Sequence, residues 1–167
     1  MCWGSIEGNF QKNLTDIRIA IAGDLHGSWS QDDLDLLLEL NPDGVLFVGD
    51  LSDGDLRIIR AINKISIPTS VILGNHDRGR DGSGDVLSTQ LDLLGEKNCS
   101  WNLSKWALDE LSVVGARPCS GGGGFFLTPE VKSVFGEVSL DESVFRIVSA
   151  AKSAPLDFPL LILAHSG

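Results

Sequence analysis

The sequence predicts an α/β fold built on a parallel sheet, and three observations lead there. Short, almost wholly apolar runs rich in β-branched residues recur along the first half. Stretches with helical spacing separate them, and the connections are brief. The resulting order β-α-β-α-β indicates parallel strands with helices on the faces of the sheet.

The first run, Ile17 to Gly23 (IRIAIAG), reads as a buried strand. Ser30 followed by Asp33 is a helix-start pattern ahead of LDLLLEL. Gly44 to Gly49 (GVLFVG) is the second strand. Ser52 followed by Asp55 repeats the start pattern, and Leu56, Ile59 and Ile62 then fall on one helical face. Thr69 to Gly74 (TSVILG), after Pro68, is the third strand. Val86 to Leu94 reads as a helix with Gly95 as its stop.

Leu111 to Ala116 reads as a strand, with SWNLSKWAL before it as a pairing partner. Residues 119–124, CSGGGG, form a loop; a phosphate cradle there lacks the Gly-Lys-[Ser/Thr] that a P-loop requires. Leu140 to Lys152 has helical spacing with acidic residues at its start, and PLLILAHSG reads as another buried strand. Residues 1–15 are read as an N-terminal extension and residues 16–167 as one domain, since 167 residues suffice for a single hydrophobic core.

With 43% apolar and 22% charged residues the chain is globular in composition. A net charge of −10 argues against general nucleic-acid or membrane-surface binding, which depends on Lys and Arg neutralising phosphates. The three cysteines (Cys2, Cys99, Cys119) lack C-x-x-C spacing, which favours reduced thiols. No stretch approaches the roughly 20 apolar residues of a membrane helix, and the first residues lack a secretory signal pattern. The expectation is a soluble intracellular protein of the cytoplasm, or of the plastid stroma if a longer form carries a transit peptide.

Every strand in the first half ends in residues able to ligate a metal. GDLHG supplies Asp24 and His26, GDLSDG supplies Asp50 and Asp53, GNHD supplies Asn75, His76 and Asp77, and the last strand ends in His165. All three histidines of the chain are in this set. A single Gly-Asp or a lone His is ordinary turn or core chemistry. Their coincidence at four strand ends, along the edge where α/β sheets bind ligands, points to a site. Read as extended backbone, Asp24 and His26 project to one side and can grip one ion. Carboxylate, imidazole and amide donors suit Mn, Fe or Zn, and the two oxygens of Asp50 can bridge two ions. Two such ions can activate a water and clamp a phosphoryl group.

With GDLHG, GD, GNHD and a later strand ending in His in this order, the chain resembles the calcineurin-like metallophosphoesterase superfamily. LSVVGARP and LLILAHSG look like its cyanobacterial and plant branch. The resemblance implies an αββα sandwich of two packed sheets flanked by helices. It also implies a dinuclear divalent-metal hydrolase acting on a phosphorylated small molecule or protein. Asp24 and His26 would bind the first metal, Asp50 would bridge, and Asn75 and His165 would bind the second. Asn75 and His76 would meet the substrate, with His76 stabilising the phosphoryl group or protonating the leaving oxygen and Asp77 orienting its ring. Asp53 is read as a turn or cap residue. The family pattern continues to a Gly-His-x-His motif that gives each metal a further ligand, and no His follows His165. The expectation is therefore a C-terminally truncated domain with an incomplete second sheet. The alternative function is a catalytically impaired remnant that binds a metal or a partner. A nucleotide-binding module is disfavoured because neither Gly-rich fingerprint is present.

Overall fold

A computed structural model describes residues 17–104, 106, 111–121 and 125–166, so the expected extension over residues 1–15 lies outside the described residues. β1 (Ile19–Ala22), β2 (Gly44–Val48) and β3 (Thr69–Ile72) form a parallel sheet in the order β1-β2-β3. The helices α1 (Gln31–Glu39) and α2 (Leu56–Asn63) make the two crossovers.

Side-chain alternation explains why β2 and β3 are apolar at every position. Val45, Phe47, Val71 and Leu73 point into a core shared with Leu34 of α1 and with Ile58, Ile59 and Ile62 of α2. Leu46 and Ile72 point the other way, into a second cluster with Trp106, Val113 and Leu163. β1 lies at the edge, and Ile21 is 66% exposed, so the strand is only partly buried.

The second sheet has the order β4-β5-β6, with β4 (Leu103–Ser104) antiparallel to β5 (Ser112–Gly115) and β6 (Leu160–Leu163) parallel to it. Bridges Val71↔Asn98 and Ser100↔Gly115 join the two sheets. Across their interface Ser70 donates to Ser104 Oγ at 2.6 Å, and the Trp106 indole donates to Ser70. The result is the mixed α/β arrangement of two packed sheets flanked by helices that the metallophosphoesterase resemblance implied. β6 departs from its reading as a buried strand: Leu160, Leu161 and Ile162 are exposed. The cause is position, since β6 ends the strand order and only Leu163 reaches the inter-sheet cluster.

Helix starts follow local capping with one correction. Ser30 and Asp33 form the expected capping box of α1. α2 is capped by Asp55 rather than Ser52, because the Ser52 hydroxyl is committed to a buried network described below. α3 (Asp85–Leu94) and α5 (Leu140–Lys152) occupy the expected ranges. Between them lies α4 (Pro129–Phe135), which periodicity does not reveal in a helix of two turns. Its local signals are the Thr128-Pro129 start and the Gly136 stop. No helix among the described residues is long and apolar enough to cross a membrane.

Candidate metal centre

The loop after β1 is laid against the loop after β2. Asp24, His26 and Gly27 donate backbone N–H groups to the carbonyls of Gly49, Asp50 and Leu51 at 2.9–3.0 Å. Asp24, His26, Asp50 and Asp53 all adopt left-handed backbone, with φ of 53°, 46°, 50° and 48°. Such conformations cost free energy in non-glycine residues and persist only where surrounding contacts fix them. Asp24 and His26 therefore converge through tight turns, not through the extended backbone the sequence suggested. Ligand atoms of Asp24, His26 and Asp50 nevertheless lie within 4.8 Å of one another.

Asp50 is 3% exposed and uses both carboxylate oxygens. Oδ1 accepts the His76 backbone N–H at 2.8 Å, and Oδ2 lies 3.3 Å from His165 Nε2. His165 Nε2 is also 3.2 Å from Asn75 Oδ1, while its Nδ1 is 3.2 Å from the Val48 carbonyl. The neighbouring glycines make this approach geometrically available. A Cβ on Gly49, where φ is +66°, would stand 2.4 Å from the His165 ring, and one on Gly74 would stand 2.2 Å from the Asp50 backbone nitrogen.

His76 faces the other side of the cluster. Its ring meets that of His26 edge to face, with centroids 4.8 Å apart. Asp53 Oδ1 lies 3.0 Å from His26 Nδ1 and 3.7 Å from His76 Nδ1, so Asp53 belongs to the cluster instead of serving only as a turn. The signal for it in the sequence is the second Asp of GDLSDG, on the same turn as Asp50.

Asp77 does not orient His76. Its carboxylate is fully buried and accepts the N–H groups of Gly74, Leu51 and Ser52 together with the Ser52 hydroxyl. Gln90 of α3 donates to the Asp77 carbonyl, and its side-chain oxygen lies 2.6 Å from the Ser52 hydroxyl, whose one proton it shares with Asp77. Asp77 thus locks the loops after β2 and β3 together from beneath. On the outside, Arg78 donates to the Asn75 carbonyl at 2.6 Å and approaches Glu130 of α4 at 3.9 Å. Neither Arg78 nor Gln90 stands out in the sequence, because each reaches the cluster through a backbone carbonyl, that of Asn75 or Asp77, and not through a ligand side chain.

Electrostatically the cluster is acidic. The hydrogen bond that Asp53 accepts from the His26 ring is the main cause that raises the His26 pKa above the ordinary imidazole value, with Asp50 and Asp24 adding to it. Cys119, buried beside the cluster, has its thiol pKa pushed up by burial and belongs to neither group of converging ligand atoms. The donor set is therefore oxygen and nitrogen only, which fits a hard or borderline divalent cation.

Residues 17–160 match the family model described as Calcineurin-like phosphoesterase. The chain belongs to this family. As a calcineurin-like phosphoesterase it is a metal-dependent phosphoester hydrolase in kind, and divalent metals are what the family typically binds. The family match stops before His165, and it is the parallel pairing of β5 with β6 that carries His165 to Asn75 and Asp50. No curated protein and no solved structure matches this calcineurin-like phosphoesterase chain.

Proposed function

We propose that the chain hydrolyses phosphoester bonds with two divalent cations, Mn, Fe or Zn, held around Asp50. Asp24, His26 and Asp50 would hold one ion, and Asp50, Asn75 and His165 the other. The observation that carries this reading is the position of Asp50, whose Oδ2 approaches His165 while the same side chain groups with Asp24 and His26. When bound, such a pair supplies a nucleophilic water at neutral pH and neutralises charge on the phosphoryl oxygens.

The chain's own residues do the rest. Asp50, fixed by the His76 N–H, keeps the two donor groups in register. His76, half-exposed at the mouth of the cluster, meets the phosphoryl group and passes a proton to the leaving oxygen. Asp53 Oδ1 sits 3.7 Å from Nδ1 of that ring, on the side away from the phosphoryl group it would meet through Nε2. Asn75 turns its side chain toward His165 because Arg78 holds its carbonyl from behind. The substrate is a phosphorylated small molecule or protein.

An aryl phosphate assay with added Mn²⁺ tests the reading. Turnover should appear, and His76→Gln should lower it by about 10²–10⁴-fold, the usual contribution of a positioned proton donor. Mn²⁺ binding without turnover would leave a metal-binding domain and no hydrolase.

A further inference from the structure

Arg117 follows β5, and its guanidinium has no counter-ion among the described residues. Arg57, Arg78, Arg146 and Lys132 each approach a carboxylate, namely Asp55, Glu130, Glu142 and Glu137. Arg117 pairs with no carboxylate among the described residues, and its Nη1 is a buried donor without a hydrogen-bond partner. One face of the guanidinium lies on the Phe125 ring, 4.6 Å from the centroid. Burial lowers the Arg117 pKa, yet an arginine keeps its charge under all ordinary conditions. A half-buried cation with an unsatisfied N–H is costly unless an anion completes it.

Space for such an anion is present. Arg117 is the one charged residue lining an open pocket of about 310 Å³, whose wall carries Ser120 and Ser143 and is otherwise apolar, with Phe125, Leu140 and Val144. This pocket adjoins the metal centre. Ser120 donates to the His165 carbonyl at 2.7 Å, and a Cβ on Gly121 would stand 3.3 Å from Asn75 Cγ. Ser143 accepts from the Trp101 indole and so keeps its own hydroxyl proton to donate.

We propose that this pocket receives a second anionic group of the substrate, a phosphate or a carboxylate. Arg117 then selects phosphoesters that carry two negatively charged groups, a substrate role that rests on the hydrolase reading above. The aryl phosphate assay registers only the metal-centred chemistry, whereas a doubly anionic substrate also engages Arg117.

The test compares alkane bisphosphates of increasing chain length with the matching monophosphates, in the presence of Mn²⁺. At one chain length kcat/KM for the bisphosphate should exceed that of the monophosphate by about tenfold or more, the worth of one charge-assisted hydrogen bond. Arg117→Gln should erase this advantage and leave the monophosphate rate unchanged, while Arg117→Lys should restore part of it. The melting temperature of metal-free Arg117→Gln should be unchanged or higher, which separates lost recognition from lost folding. An advantage that is absent, or that survives Arg117→Gln, overturns the proposal. So does a monophosphate rate that free inorganic phosphate raises through Arg117, because the pocket would then serve a separate effector. If no substrate turns over, the hydrolase reading fails, and calorimetry of the same bisphosphates with metal-free protein judges the pocket alone. Binding weakened by Arg117→Gln upholds the anion site, and binding that is absent or indifferent to Arg117 overturns it.

Discussion

The His165 imidazole and the Asp50 carboxylate lie 3.3 Å apart with both side chains almost wholly buried, and they join the far ends of the two sheets. The contact exists because Gly49 presents no side chain to the ring. Gly49→Ala would force a Cβ into His165 at a left-handed backbone position. We expect a stability loss of about 2–3 kcal/mol by denaturant titration, with weaker Mn²⁺ binding. A variant with unchanged metal affinity would show that His165 takes no part in the site.

Asp77 is expected to act on stability first. Asp77→Ala would strand the N–H groups of Leu51, Ser52 and Gly74 without an acceptor. Buried donors left unpaired cost about 1–3 kcal/mol each, so a loss of about 3 kcal/mol or more should appear in urea unfolding. A metal-free protein of native stability in Asp77→Ala would contradict this role.

The His26–Asp53 pair predicts a pH effect with a definite sign. Asp53 raises the folded-state pKa of His26. In the metal-free protein the pair therefore contributes stability fully below the ordinary imidazole pKa, and this is lost as pH rises through the raised value. Asp53→Asn should move the His26 titration, followed by NMR of the imidazole protons, to lower pH. Because a ligating imidazole must be unprotonated, metal loading should rise with pH across the same interval.

Lys97 closes α2 from a distance. Its ammonium donates to the carbonyls of Ile62, Asn63 and Ile65, which terminate that helix and the turn after it. Lys97→Met should cost about 1–2 kcal/mol of stability and leave Mn²⁺ affinity alone, as α2 ends at the opposite edge of the sheet from the donor cluster.

Much of this was legible in the sequence because the signals were local. Alternating burial made β2 and β3 continuous apolar runs, the capping pattern of Ser30 marked α1, and helical spacing with acidic residues at its start marked α5. The strand-end placement of Asp24, Asp50 and Asn75 followed from the parallel order. What escaped depended on contacts between distant segments. Ser52 has the sequence signature of a cap, yet the buried Asp77 and Gln90 claim its hydroxyl. Asp53 resembles any turn aspartate until the loop after β1 brings His26 to it. An apolar strand such as β6 does not announce which neighbours will cover it, so its exposure was invisible.

The most direct test of the account is Mn²⁺ binding by calorimetry on the wild-type chain, Asp50→Asn and Asp24→Asn. The wild-type chain should bind about two ions, as a two-metal phosphoryl-transfer site requires. Asp50→Asn should abolish binding at both positions, since its carboxylate is shared, and Asp24→Asn should abolish it at the position shared with His26. Unchanged binding in both variants would contradict the assignment of the centre to Asp50.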